Sequence, residues 1–240
     1  MAAGRADHGE PTMKQASRYF SDEDKKAISA AVAEAETSTS GEIVPVVATV
    51  CGRYDRAEDV VGLLTGLIVL AAGWLFCPYV HPDAGWRAGI LLSSTGLVPA
   101  LVCVLAGFIA GSALATRIPA LRLPFIPARE MQEEVQRAAR AAFAEFRLRG
   151  TRDSTGILIL VSLYERRVVV IPDDGIAQKT GGDAWRDVRD LVIDGLRRKQ
   201  AAEGLKAGIR RCGEILSLHC PRKADDRNEL GNELRLIDAK

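Results

Sequence analysis

The sequence predicts an α/β fold, a three-layer α/β/α sandwich interrupted by a two-helix transmembrane hairpin. Three observations lead there. Two central runs, Val60–Cys77 and Ala88–Thr116, contain no Asp, Glu, Lys or Arg. A strand pair, Gly156–Leu163 and Arg166–Pro172, is joined by the tight turn Tyr164-Glu165. Amphipathic helical patterns stand on both sides of these features.

In chain order, residues 1–19 read as a disordered tail of small and charged residues. A helix is expected from Ser21, whose hydroxyl suits an N-cap, with Asp22, Glu23 and Asp24 favoured by the helix dipole. Ile28, Ala31, Val32 and Ala35 recur on its inner face. Glu42–Cys51 is rich in β-branched residues and predicts a strand. Pro45 has no N–H for a ladder, so this strand should have an edge or an irregular start.

The first part of the soluble domain, 20–59, then gives way to the hairpin, 60–116, with helices at about 60–77 and 90–114. A bilayer core of ~30 Å needs about 20 apolar residues of helix, and both runs meet that requirement. Pro78 and Pro82 break the chain between them, with Tyr79 and Trp86 at interfacial positions. Gly107, Gly111 and Ala115 offer a small-residue face to the first helix. Arg53 and Arg56 precede the hairpin and Arg117, Arg122 and Arg129 follow it, against Arg87 alone in the linker. Lys/Arg excess marks the cytoplasmic side, so both termini are expected there. The first apolar run starts too far along the chain to be a signal peptide.

The second part of the domain, 117–218, begins with a helix over Arg129–Leu148, ended by Gly150. GILILVSL, at Gly156–Leu163, is an unbroken apolar run and predicts a central strand covered on both faces. The periodicity gives two more helices, Asp183–Lys199 (Trp185, Val188, Val192, Leu196) and Ala202–Leu218 (Leu205, Ile209, Cys212, Leu216). Residues 219–240 turn polar and are expected to form a partly ordered tail. The first strand should run parallel to Gly156–Leu163, with the hairpin inserted in the crossover between them.

Composition narrows the function. Removing the hairpin leaves roughly 180 residues, enough for one domain with its own core. The 32 basic and 31 acidic residues give a net charge of +1, which argues against nucleic acid as a partner. The five cysteines form no CxxC pair, and His8, His81 and His219 are scattered. No GxGxxG, Walker loop or nucleophile elbow is present.

SGEIVPVV, STGILILVSLYERRVVVIPDDGI and the W…L…GL…I…G pattern of the last helices resemble the TPM domain, over about Phe20–Ser217 with the hairpin excluded. The similarity is to a bacterial branch with membrane helices inserted in the domain, which implies an integral membrane protein of the inner membrane in a bacterial cell. The resemblance implies an α/β/α sandwich. It also implies either an adaptor or assembly role or the weak acid phosphatase activity attributed to a plant member.

Two candidate sites follow. Folding the strand pair about Tyr164-Glu165 places Gly156 opposite Asp173 and Thr155 opposite Asp174, with Asp153 near the same end. The parallel first strand brings Glu42 there. Asp153, Asp173, Asp174 and Glu42 could hold Ca²⁺ or Mg²⁺ through oxygen ligands and support phosphoester hydrolysis. Asp is equally a common turn residue, and turn use is the stronger reading. Ser154-Thr155-Gly156 stands where relatives often carry Asp-Asn-Gly, which weakens a transferred metal site. At the opposite end, beyond the carboxyl ends of the parallel strands, Arg53, Arg56 and Arg166 are candidates for contact with lipid headgroups or a phosphate. The expected function is a membrane-anchored, non-enzymatic interaction or assembly module on the cytoplasmic face, whose partners are the bilayer and another membrane protein. The alternative is a divalent-metal-dependent phosphatase.

Overall fold

The computed structural model describes residues 15–76, 97–151 and 154–239. The linker Pro78–Trp86, Arg87, Asp153 and the first part of the expected N-terminal tail lie outside the described residues. The chain divides into a helical unit, Arg53–Pro127, and an α/β unit built from Lys14–Gly52 and Ala128–Lys240.

The α/β unit opens with a short helix, α1 (Ala16–Tyr19), where the sequence predicts a tail. Ala16 is fully buried and its N–H donates to Thr49 Oγ1 at 2.7 Å, so order begins upstream of Ser21. α2 (Asp22–Glu36) starts on a full capping box: Ser21 Oγ accepts from Asp24 N–H at 3.1 Å and Asp24 Oδ2 accepts from Ser21 N–H at 3.0 Å. Ile28, Ala31, Val32 and Ala35 are its buried residues.

Among the described residues the sheet has four strands in the order β3-β2-β1-β4, with β1 at Glu42–Ala48, β2 at Gly156–Ser162, β3 at Arg167–Pro172 and β4 at Arg235–Ile237. β1 and β2 are parallel, with Glu42 opposite Gly156; β2 and β3 are antiparallel, with Ile157 opposite Pro172. Both registers agree with the sequence reading. β4 corrects it: the chain end adds a strand parallel to β1 instead of trailing as a polar tail.

β4 also explains Pro45. Glu42 N–H donates to Thr155 O on the β2 side, whereas Ile43 N–H goes to Glu36 Oε1 and Thr49 N–H to Ile237 O on the other side. Alternation therefore turns Pro45 toward β4, which pairs only with Val46–Ala48. The missing donor falls where the sheet edge is open.

Two apolar clusters sandwich the sheet. Ile43, Val47, Ile157, Ile159 and Val168 pack with residues of α2 and of α6 (Asp174–Thr180), α7 (Arg186–Arg197) and α8 (Ala201–His219). Val44, Val46, Leu158, Leu160 and Val169 pack against Val135, Ala139, Ala142 and Phe143 of α5 (Ala128–Glu145). β1 and β2 are buried at every position, as strands covered on both faces must be. α5 stops at Glu145, short of the expected Leu148, through Arg147 in the left-handed region (φ 54°). That turn sends Leu148 beneath the sheet, fully buried. Gly156 makes room for it, since a Cβ there would stand 2.8 Å from Leu148 O.

The helical unit consists of α3 (Asp55–Phe76) and α4 (Leu97–Arg117). α3 begins at Asp55, ahead of the uncharged run, because Asp55 and Glu58 suit the positive end of the helix dipole. The helices run antiparallel and touch through glycines of both: a Cβ on Gly107 would lie 2.8 Å from Gly66 Cα, and one on Gly111 3.1 Å from Gly62 Cα. At one end Glu58 pairs with Arg122 and accepts from Thr116 Oγ1 at 3.0 Å. Leu63, Leu67 and Ile68 of α3 and Leu101, Leu105 and Ile109 of α4 are exposed. Among the described residues one helix, Val98–Arg117, is long and apolar enough to cross a membrane.

Candidate functional site

At the amino-terminal end of β1 and β2, Asp173 N–H donates to Gly156 O at 2.8 Å, placing Asp173 opposite Gly156 as the hairpin geometry requires. Asp173 is 3% exposed and caps α6, its Oδ1 accepting from Asp174 N–H at 2.8 Å. The turn-like Asp173-Asp174-Gly175 is thus the start of a helix that the sequence reading missed. Asp173 Oδ2 is buried without a hydrogen-bond partner among the described residues. Asp174 is exposed in the first turn of α6.

Glu42 is two strands away and already engaged. Its Oε1 accepts from Glu229 N–H at 3.1 Å and its Oε2 from Leu230 N–H at 3.2 Å, so the carboxylate pins the returning C-terminal segment to the sheet. Burial pushes the Glu42 carboxyl above its ordinary value, and those two N–H groups act against the rise. Neighbouring Glu36 is pushed up to about 7, first by burial and then by the charge of Glu42, while Ile43 N–H opposes the shift. A cavity of about 340 Å³ opens here, lined by Ser40, Glu42, Thr155, Asp226 and Glu229 among others. Among the described residues no three His, Cys, Asp or Glu side chains group so as to hold a metal ion. Of the four expected ligands, Glu42, Asp173 and Asp174 are placed at this end of the sheet, and Asp153 lies outside the described residues.

The carboxyl-terminal end of the parallel strands is organised by Glu165. Its Oε1 accepts from Cys51 N–H at 2.9 Å and from Gly52 N–H at 3.1 Å, and its Oε2 accepts from Ser162 Oγ. A buried carboxylate with charge-assisted partners fixes the chain as it leaves β1. Burial pushes the Cys51 thiol up to about 12, which keeps it protonated and unreactive. The sequence brings Glu165 to the same sheet end as Gly52, but its hold on the Cys51 and Gly52 amides was not legible there. Arg166, next to it, is exposed and has positive φ (51°). In the helical unit Arg53 is exposed, 3.8 Å from Asp55, and Arg56 is exposed as well.

This architecture, a mixed sheet with helices on both faces and a hairpin whose second strand leads into capped helices, is that of a small α/β/α domain. Residues 124–215 match the family model of the TPM domain. The match spans α5 through most of α8, whereas α2 and β1, which complete the core, lie before the helical unit. Among solved structures, the NMR structure of the BA42 protein from the psychrophilic bacterium Bizionia argentinensis is similar, with a TM-score of 0.52 and 18% identity over 90% of this chain and 94% of that chain. At that identity the likeness concerns the fold. No curated protein matches the chain.

Proposed function

We propose that this protein is a membrane-anchored TPM-domain module that binds another membrane protein, without catalysis, on the cytoplasmic face. The observation that carries this reading is the use of the buried carboxylates. Glu42 and Glu165, the acids best placed to serve a ligand at either sheet end, both hold the protein's own backbone. The anchor reading is supported by the apolar surface of α3 and α4. Ile68 is 66% exposed and Leu105 60%, and a soluble protein rarely leaves so long an apolar stripe in water. The basic residues flanking the helix pair, Arg53 and Arg56 before it and Arg117 and Arg122 after it, support a cytoplasmic placement of the α/β domain.

A second reading, the divalent-metal-dependent phosphatase, has one observation in its favour: the buried, unpartnered Asp173 Oδ2. Turnover of a model phosphoester by the detergent-solubilised chain, with Ca²⁺ or Mg²⁺ added, separates the two. The interaction reading expects no release above the metal blank, from wild type or from Asp173→Asn. Asn keeps the capping oxygen, so the variant tests the charge with the helix start intact. Metal-dependent release that Asp173→Asn abolishes would establish the enzyme instead.

A further inference from the structure

A cavity of about 1500 Å³ in the α/β unit lies over the β2–β3 turn and the α7–α8 connection. Pockets for small molecules run from about 300 to 1,000 Å³, so this one has the size for a longer, extended ligand. Its apolar part is formed by Phe20, Leu163, Val168, Ile193 and Leu196.

The charges around it are unbalanced in a specific way. Each carboxylate of the lining is committed: Asp24 to the capping box, Asp190 to Arg189 at 2.9 Å, Asp194 to Arg197 at 3.8 Å and Glu203 to Lys206 at 2.6 Å. Arg167 donates to two neutral acceptors, Gln132 Oε1 and Ala128 O. Arg166 and Lys199 are exposed and have no acidic partner among the described residues. Both occupy left-handed turn positions, with φ of 51° and 60°.

β3 supplies a third element. It is an edge strand, and the bond from Asp173 N–H to Gly156 O fixes which of its amides face β2. By alternation the Val168 N–H turns away from β2, to the side of β3 that pairs with no strand among the described residues, and Val168, 5% exposed, lines the cavity.

We propose that this groove docks an extended acidic peptide segment of a partner protein. The segment lies along the β3 edge, sets carboxylates on Arg166 and Lys199, and places alternate apolar side chains over Phe20, Leu163, Ile193 and Leu196. The proposal rests on the interaction-module reading and names the class of partner that module takes.

The test uses the full chain in phosphatidylcholine nanodiscs and a fluorescent peptide alternating Glu and Val, read by anisotropy. A second peptide with Lys for Glu serves as the control. Saturable binding of the acidic peptide alone is expected. Arg166→Glu with Lys199→Glu should weaken it about tenfold or more, with an unchanged melting curve. Arg166→Gln with Lys199→Gln should give an intermediate loss even if charge reversal disturbs folding.

Equal binding of both peptides, or equal binding by wild type and the Gln pair, overturns the proposal. So does a charge reversal that changes only the affinity for phosphatidylserine-containing discs, which would make the groove a lipid contact. Capture of a cross-linked membrane partner that survives charge reversal would remove the groove and leave the interaction module standing. Absence of any partner on wild type would remove both.

Discussion

Glu36 shows how a single side chain ties stability to pH. Its carboxyl is pushed up to about 7 from an ordinary 4.5, chiefly by burial, with Glu42 and Asp226 adding repulsion and Ile43 N–H and Asn232 opposing it. The folded state therefore keeps a proton that the unfolded chain releases. Stability is full below about 4.5 and falls as pH rises through about 7. Glu36→Gln keeps the acceptor for Ile43 N–H and removes the titration. Its melting temperature should exceed wild type at about pH 8 and converge with it in acid. A constant difference across that range would show that Glu36 does not titrate in the window.

At the scale of elements, glycine decides which helices touch. Gly62 and Gly66 of α3 face Gly107 and Gly111 of α4, close enough that a single added carbon collides. Gly66→Leu or Gly107→Leu should destabilise the helix pair by about 1–3 kcal/mol, seen as a lowered melting temperature in mild detergent. Gly73, on the same helix, has no atom of the described residues within 4 Å of an added Cβ, so Gly73→Leu should be neutral. Equal effects at Gly73 and Gly66 would deny the contact.

The same scale shows what could be read in advance. The Gly107-Gly111 spacing marked one half of this contact, and the capping signal at Ser21 and the register of Glu42, Gly156 and Asp173 were readable too, because each rests on local chemistry or on period-two alternation. β4 was not: Arg235–Ile237 is three residues in a polar stretch, and the segment leading to it is held at Glu229 and Leu230 by the distant Glu42. α6 was hidden by Asp173-Asp174-Gly175, which reads as a turn until the capping bond is seen. The early end of α5 was hidden for a similar reason, since Gly150 looks like the natural stop and Arg147 takes the left-handed position instead. At the candidate site, the sequence brought Glu42 and Asp173 to one end of the sheet but could not show that the Glu42 carboxylate is occupied by backbone.

For the whole molecule, the arrangement to explain is one sheet made from two distant chain segments. β1 pairs with β2 along its full length, yet α3 and α4 lie between them in sequence. The matched family segment begins at residue 124, after that interruption, while the buried residues of α2 and β1 belong to the same core. In sequence the helical unit is thus an insertion between β1 and β2 of the α/β unit, and the proposed anchor assigns its exposed apolar surface to lipid. Extraction of membranes with alkaline carbonate puts that claim to the most direct test. The account predicts that the full chain stays in the membrane pellet and is released only by detergent. Its appearance in the carbonate supernatant would contradict the account.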